Sequence, residues 1–213
     1  MQKIYGRRAV AGIGVVALVA LAGCENAGQQ RNFDRFDQYS EILASGRLSS
    51  VANLDGVVGT AEYVGTGFGE FPAADEPPDE DDERLTYTAT ADVQLSADFT
   101  EGTLGGTMTG WTTEDPGNFE MKGIVRISDG RIEQDGTFTS LVSGSVERRD
   151  TARRTIERRE SPGEDDLPEA YLVGIVGSAT GTFHDSLDGA RATHIIGNIE
   201  AGNMTGGFAA QSQ

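Results

Sequence analysis

Apolar and polar residues alternate without interruption between Leu85 and Phe99. Odd-numbered positions carry Leu, Tyr, Ala, Val or Phe, whereas even-numbered positions carry Thr, Asp, Gln or Ser. Successive side chains of a β-strand point to opposite faces of a sheet, while apolar residues of an amphipathic helix recur roughly every three to four residues. The segment is therefore predicted to form one long antiparallel strand, with one face buried and the other in water.

Other segments of strand-like composition are bounded by turn residues, at 57–64, 103–112, 119–128, 131–146, 171–183, 192–200 and 204–211. The dipeptide Asp129-Gly130 predicts a two-residue hairpin, because a type I′ turn needs positive φ at both central positions. Asp188-Gly189 and Gly202 indicate further turns. No crossover helix separates the segments, which favours an up-and-down meander that closes on itself without exposed edges.

The predicted fold class is therefore all-β, with a single antiparallel up-and-down β-barrel of about eight strands. Four phenylalanines, Phe99, Phe138, Phe183 and Phe208, are natural fillers of its interior. A barrel of this size holds either packed side chains or one small ligand. Filling by these rings is favoured over an open cavity.

The first residues carry the pattern of a secretion signal. Three basic residues precede an apolar run from Ala9 to Ala22, which is too short to span a bilayer as a helix. The run leads into Leu-Ala-Gly-Cys24, which resembles a bacterial lipobox, and that resemblance implies cleavage before Cys24 and acylation of this cysteine. By resemblance to enterobacterial sorting, Glu25 implies delivery to the outer membrane. Which leaflet the protein faces is left open.

The chain is predicted to have three parts: a lipoprotein signal peptide at 1–23, a lipidated tether with a short helix at 24–55, and the barrel at 56–213. Asn32 caps the predicted helix, which runs to about Ala44, and Gly46 is placed to end it. We expect the helix to plug or flank the barrel through packing of its apolar side, which is formed by Phe33, Phe36, Tyr39 and Leu43.

Composition and charge narrow the classes of function. The chain of 213 residues has 34 Asp and Glu against 17 Lys and Arg, and its net charge of −17 becomes −20 when the signal peptide, with three bases and no acid, is removed. Nucleic-acid binding is excluded, because it requires a basic surface. The single Cys excludes an intramolecular disulfide framework and a multi-Cys zinc site.

Catalytic motifs are missing from the sequence. The chain has no G-x-S-x-G, Walker A, H-E-x-x-H or C-x-x-C pattern. The carboxylates of the acidic segment described next would have neither a fixed separation nor a shifted pKa for acid–base work. An enzyme is therefore not predicted, and a monomeric binding module is favoured.

Two charged connections carry candidate binding residues. The segment 70–83 contains eight acids, three prolines and no base. Within it, the candidates for binding a cation or a basic partner are Asp79, Glu80, Asp81, Asp82 and Glu83. A solvated, self-repelling loop is the alternative. The segment 147–169 carries candidates for binding carboxylate or phosphate, namely Arg148, Arg149, Arg153, Arg154, Arg158 and Arg159. Internal salt bridges with nearby acids are the competing interpretation.

His184 and His194 are the only histidines of the chain and complete the set of candidate ligand-binding residues. Imidazole is an axial ligand of haem, so haem is the one cofactor that the sequence leaves open. No metal site and no other cofactor is predicted.

Several glycine-rich motifs resemble the β-barrel domain of transferrin-binding protein B and related bacterial surface lipoproteins. They are Gly-Thr-Ala-Glu-Tyr-Val-Gly at 59–65, Ala-Asp-Phe-Thr-Glu-Gly-Thr-Leu-Gly-Gly-Thr at 97–107, Gly-Thr-Phe at 181–183, Ile-Gly-Asn-Ile-Glu at 196–200 and Gly-Gly-Phe-Ala at 206–209. The resemblance covers roughly Gly56 to the C-terminus. The chain departs from the family after the third motif, where His184-Asp185-Ser186 replaces Tyr-Gly-Pro, and it has one barrel where transferrin-binding protein B is bilobed.

The resemblance implies an anchored protein, usually at an outer membrane, that recognises proteins, haem or metal carriers through its barrel loops. It transfers no particular ligand-binding residue. The predicted function is that of an outer-membrane lipoprotein, anchored through Cys24, that acts as a non-enzymatic binding module for a host or environmental protein, haem or an iron carrier. The alternative is a structural envelope lipoprotein that captures no nutrient.

Overall fold

The computed structural model describes residues 34–35, 37–42, 44, 53–72, 86–113, 119–150, 170–185 and 191–213. These residues form a helix, α1, whose described positions lie within 34–44, and eight strands. The strands are β1 (Thr60–Pro72), β2 (Thr86–Asp98), β3 (Thr103–Thr113), β4 (Phe119–Ile132), β5 (Thr137–Asp150), β6 (Ala170–His184), β7 (His194–Ala201) and β8 (Met204–Ser212).

Consecutive strands pair antiparallel, and β8 returns to pair with β1, so the sheet closes into a barrel in the order β1 to β8. The register across this closure runs from Tyr63 opposite Ser212 to Glu70 opposite Thr205. Closure pairs both edges of the sheet, which is how a barrel avoids open strand edges. The predicted all-β, eight-stranded, up-and-down barrel is confirmed.

Strand β2 confirms the alternation seen in the sequence. Val93 and Leu95 point into the barrel and are 0% and 1% exposed, while Gln94 and Ser96 between and beyond them face solvent. Burial of one face drives this register, because a slip of one residue would move every apolar side chain of the strand into water.

The hairpin predicted at Asp129-Gly130 is wrong. Both residues lie inside β4, at a shift of the β4–β5 register where two residues of β4 face one residue of β5. This arrangement is a β-bulge, and Asp129 adopts a left-handed φ of 52° within it. The chain instead turns at 133–136, where Gly136 has φ 80° and its N–H donates to the Glu133 carbonyl at 3.0 Å. The prediction fails because bulges and turns use the same positive-φ residues.

Two strands extend into segments that were predicted to be charged connections. β1 reaches Pro72, and β5 reaches Asp150, so Arg148 and Arg149 belong to a strand and not to a connection. The barrel explains the extension, since Glu147 pairs with β4 on one side and with β6 on the other. Hydrogen bonding from both sides holds in extended form a charged segment whose composition alone is typical of a loop.

Aromatic rings fill much of the barrel interior. Phe138, Phe183 and Phe208 are at most 1% exposed, and Phe99 is half-buried against Phe183 at 5.1 Å between ring centroids, so the predicted fillers are confirmed. Glycine makes room for them, because a Cβ at Gly197 would lie 2.4 Å from the Phe208 ring. Among the described residues, packed rings thus occupy the part of the interior where they lie.

The two ends of the barrel differ in their connections. At the loop end, the strands β1 and β2 are joined by 73–85, β3 and β4 by 114–118, and β5 and β6 by 151–169. At the closed end the connections are 99–102, 133–136 and 185–193.

The Tyr63 hydroxyl donates to the Ala192 carbonyl at 2.5 Å within the closed end, and burial raises the pKa of this hydroxyl.

Helix α1 flanks the barrel on its outer surface. Arg35, which is 4% exposed, donates from Nη1 to the Gly110 carbonyl at 2.7 Å and from Nε to the Asp92 carboxylate at 3.0 Å. One guanidinium therefore binds β2 and β3 together. Tyr39 packs edge-on against Phe68 of β1, with 5.3 Å between ring centroids, which confirms a packing role for this aromatic residue.

The outer face of the barrel beneath α1 is buried, although it does not belong to the barrel interior. Thr66 and Ala209 are 1% and 0% exposed, and the Thr66 hydroxyl donates to the Gln38 side chain at 2.8 Å. Among the described residues, no helix has the length and hydropathy needed to cross a bilayer. The predicted signal peptide, Cys24 and the helix residues Asn32, Phe33, Phe36, Leu43 and Gly46 lie outside the described residues.

Candidate binding site at the loop end

The inward side chains at the loop end are aromatic, with one arginine among them. Alternation along β1, β2, β5 and β6 carries Phe71, Tyr87, Arg148 and Tyr171 to the inner face, where Phe71 pairs with Tyr87 and Arg148 with Tyr171. Trp111 joins them from β3 and is 4% exposed. Five of the eight strands thus contribute to one cluster, which we call the aromatic cluster.

The rings of the aromatic cluster hold one another and the guanidinium in place. Phe71 stacks on Tyr87 with 5.4 Å between centroids and 13° between planes, and it meets Trp111 edge-on at 5.4 Å. The Arg148 Cζ lies 5.0 Å from the Tyr87 ring centre and 5.4 Å from that of Tyr171. Each such cation–π contact contributes roughly 0.5–2 kcal/mol, more when water is excluded. The positive charge therefore has a defined place at the barrel mouth.

Buried polar atoms at this end lack hydrogen-bond partners. They are Trp111 Nε1, Thr113 Oγ1 and Tyr87 Oη, none of which bonds to another residue of the described chain. Trp111 and Thr113 are each 4% exposed. An unsatisfied buried donor or acceptor costs about 1–3 kcal/mol, and native structures hold few of them. Their presence together, at the end with the longer connections, marks this place as a candidate binding site.

The protonation states of the cluster favour donation of hydrogen bonds. Burial raises the pKa of the Tyr87 hydroxyl, and the nearby positive charge of Arg148 opposes that rise without cancelling it. The phenol is therefore neutral at physiological pH and keeps its proton. An indole N–H is a donor only. Together with the guanidinium, these groups present donors to any molecule that brings acceptor atoms.

The two candidate arginines that the structure describes lie on opposite faces of β5. Arg148 faces inward in the aromatic cluster, whereas Arg149 faces outward and forms an ion pair with Glu147, as the salt-bridge interpretation expects. The remaining pairs, Arg153, Arg154, Arg158 and Arg159, lie outside the described residues, as do Asp79, Glu80, Asp81, Asp82 and Glu83. The strand order alone places both segments in connections at the loop end.

The two histidines lie at the other end of the molecule. His184 closes β6 and pairs across the ladder with His194 of β7, and they are 7% and 4% exposed. Each has a threonine hydroxyl within hydrogen-bond distance: Thr182 at 2.8 Å from His184 Nε2, and Thr193 at 2.9 Å from His194 Nδ1. About 40 Å of extended strand separates His184 from the Arg148 level, so the structure does not bring these candidates together.

Metal-ligand chemistry is sparse in the described part of the chain. No group of three or more His, Cys, Asp or Glu residues there is arranged to hold a metal ion. Burial lowers the pKa of His194, which keeps its imidazole neutral.

Sequence reasoning missed Trp111 and Thr113 because of a bulge. Strict alternation from the buried Met108 would turn Trp111 outward, but the β2–β3 register shifts beside Gly110, whose φ is 62°, and the following residues change face. Tyr87 did carry a signal, since it occupies the apolar side of the alternating β2 pattern. The presence of a single tryptophan in the chain was a second, unused signal.

A scan of the chain against protein-family models gave no match, and a search of curated proteins gave none either. The functional proposal therefore depends on the fold, on the geometry of the loop end and on the sequence motifs.

Proposed function

We propose that this protein is an envelope lipoprotein, anchored through Cys24, whose barrel is a non-enzymatic binding module that captures its ligand at the loop end. The lipobox and the resemblance to transferrin-binding protein B support the anchor and the module. The resemblance favours a protein, haem or an iron carrier as the ligand and the outer membrane as the location.

One observation carries the choice of the loop end: Trp111 Nε1, Thr113 Oγ1 and Tyr87 Oη are buried there without partners in the described chain. A ligand that supplies acceptor atoms would bond to these donors and remove the free-energy cost of leaving them unsatisfied in the folded protein. Carboxylates, backbone carbonyls and haem propionates are acceptors of this kind. Arg148 adds a charge that favours an anionic acceptor over a neutral one.

The acidic character of the whole chain limits which ligands arrive easily. At a net charge of −17 before processing, the protein repels small anions at long range. Physiological salt screens such repulsion beyond about 8 Å, so a ligand held by short contacts at the aromatic cluster still binds. Association is therefore expected to be slower at low salt for an anionic ligand.

The test uses the only tryptophan of the chain, Trp111, as a reporter inside the candidate site. The mature chain with Cys24→Ser would be titrated with haem and with a haem-carrying protein while tryptophan fluorescence is recorded. We expect saturable quenching by at least one of them. No response to either removes these ligands and leaves the alternative of a structural envelope protein.

Matched variants place the response in the molecule. Thr113→Val and Tyr87→Phe each remove one hydroxyl and should weaken binding by roughly three- to tenfold, since a hydrogen bond contributes about 0.5–1.5 kcal/mol. Thr139→Val, on the outer face of β5, and Tyr63→Phe, at the closed end, remove the same groups elsewhere and should leave affinity unchanged. Equal losses in both sets would rule out the loop end.

Thr113→Val has a second signature that a structural residue would not show. Its hydroxyl is buried without a partner in the described chain, so an apolar group of the same shape should leave the free energy of unfolding unchanged or raise it. Weaker ligand binding in a protein of equal or greater stability is the combination expected of a binding group.

A further inference from the structure

Exposed apolar side chains are concentrated on one side of the barrel. Five large apolar residues of the described chain are exposed, and four of them lie on the outer face of β4, β5 and β6: Ile124, Leu141, Leu172 and Val176, at 43%, 56%, 71% and 78%. The fifth, Val58, precedes β1 and is 77% exposed. We call the outer face of β4 to β6 the bare wall, in contrast to the face that α1 covers.

The strand register shows that small side chains lie between the exposed apolar residues of the bare wall. Ile124 lies level with Ser145 and Gly174, and Arg126 lies level with Ser143 and Val176. Small residues thus occupy the positions between the apolar ones. From strand spacing and rise, the four apolar side chains span about 10 Å across the strands and about 20 Å along them. Four large exposed apolar side chains within an area of this size mark a candidate interaction surface.

The charge of the bare wall differs from that of the whole molecule. Its outward charged residues in the described chain are four bases and three acids: Lys122, Arg126, Arg131 and Arg149 against Glu120, Asp129 and Glu147. Lys122 pairs with Glu120 at 2.7 Å, and Arg149 pairs with Glu147. The exposed Arg126 stands beside the apolar side chains. In a protein with twice as many acids as bases, this wall does not repel an anionic surface.

The contacts of α1 show on which side of the barrel the helix starts. Arg35, at the beginning of the helix, contacts β2 and β3, while Gln38 and Tyr39, further along, contact β1. The helix therefore begins on the side nearest β4. Ten residues lead from Cys24 to Asp34, a reach of at most about 35 Å. A tether of that length lets the bare wall reach a membrane in which acyl chains on Cys24 are inserted.

We propose that the bare wall rests on the anionic headgroup surface of the bilayer to which the protein is anchored. The inference builds on the lipid anchor of the proposed function and adds an orientation to it. Leu172, Val176 and Ile124 enter the headgroup layer, and Arg126 meets lipid phosphate. The barrel axis then lies along the membrane, and the loop end opens sideways to solvent.

The test measures contact with lipid at single positions. The full lipidated protein, in a Trp111→Phe background, would carry tryptophan at the bare wall through Val176→Trp or at the matched control position through Val58→Trp. Each would be reconstituted into vesicles of equal parts phosphatidylcholine and phosphatidylglycerol that contain lipids brominated near the headgroup. Bromine quenches tryptophan only on contact. We expect at least threefold stronger quenching at position 176 than at position 58.

Two further measurements test whether quenching at position 176 depends on anionic lipid and on Arg126. Replacing phosphatidylglycerol by phosphatidylcholine, or substituting Arg126→Glu, should reduce quenching at position 176 by at least half. Equal quenching at both positions overturns the proposal. If tryptophan at position 176 is shielded from water but is not quenched by bromine, and the protein sediments as a dimer, the proposal is also overturned. That result assigns the bare wall to a second copy of this chain.

Absence of the lipid anchor and absence of contact between the bare wall and the membrane give different experimental results. Mass spectrometry of the N-terminal peptide reports acylation of Cys24 directly. A protein that carries the acyl mass but shows equal quenching at both positions retains the anchor and loses the bare-wall orientation. A protein without the acyl mass loses the anchor of the proposed function, and co-sedimentation of Leu172→Asp and Val58→Asp variants with the same vesicles then tests the wall alone.

Discussion

His184 and His194, the two candidate haem ligands, lie together at the closed end of the barrel. They face each other across β6 and β7, both almost fully buried, each beside a threonine hydroxyl. Burial disfavours the charged form of the His194 imidazole and lowers its pKa. This residue therefore makes the closed end sensitive to acid.

Stability should fall as the pH drops below the ordinary pKa of histidine. Burial lowers the pKa of His194 from its ordinary value of 6.5, so the unfolded chain takes up a proton at higher pH than the folded one. The stabilisation is complete above that value and is lost as the pH falls toward the lowered pKa. Thermal unfolding between about pH 7.5 and pH 5.5 measures the loss.

His194→Asn is the matched variant for this measurement, because an amide can replace the imidazole at the Thr193 hydroxyl. Its midpoint should change less over the same interval. Asp135, whose pKa the Thr137 hydroxyl and N–H lower below 3.8, titrates in a more acidic range and does not interfere. Parallel slopes in wild type and variant would contradict a role for His194.

At the scale of residues, the sequence predicted the packing better than the site. Phe138, Phe183 and Phe208 fill the barrel as expected, because an apolar ring needs only a buried face. Arg148 was selected for its charge, and the structure places it in the aromatic cluster. Trp111 and Thr113 were missed, since the face on which they lie depends on a bulge that pairing with β2 creates.

At the scale of elements, β2 shows what a pattern determines by itself. Val93→Asp should destabilise the protein by about 3–5 kcal/mol, because it places an unpaired carboxylate in the barrel core. Gln94→Asp, one residue along on the solvent face, should change stability by less than about 0.5 kcal/mol. Urea unfolding of the two variants measures the difference, and similar losses would invalidate the register.

Two Asp-Gly dipeptides in the β4–β5 region show where pattern stops being sufficient. Asp129-Gly130 forms a bulge, and Asp135-Gly136 belongs to the turn. Both accept positive φ, so local chemistry does not distinguish them. Pairing with β3 decides, because Leu104 pairs with Gly130 and carries β4 past the first dipeptide. Element boundaries of this kind are set by the neighbouring strand.

At the scale of the whole molecule, the fold is complete only when its two ends meet. β1 and β8 pair directly, and the Gln213 N–H donates to the Glu62 carbonyl at 3.1 Å. The eight-strand count and the meander were predictable, since each strand pairs with the next in sequence. Lipidation of Cys24 and residence at the outer membrane remain predictions from the N-terminal sequence.

A chain that ends at Asn203, and so lacks β8, should fail to fold and should aggregate, because it exposes the edges of both β1 and β7. A circular permutant that joins Gln213 to Asn53 and opens in the connection 114–118 keeps all eight strands and should fold. Circular dichroism and size-exclusion chromatography distinguish the two. Cooperative unfolding of the truncated chain would show that closure is dispensable.

The Arg35 contacts have a mechanical consequence. A force that pulls on the N-terminal end of the chain reaches α1 before it reaches β1, and there it meets one guanidinium bonded to Asp92 of β2 and Gly110 of β3. Both bonds come from one side chain, so the load divides between them. It passes into β2 and β3, two adjacent strands of a closed sheet, before it reaches the contacts of Gln38 and Tyr39 with β1.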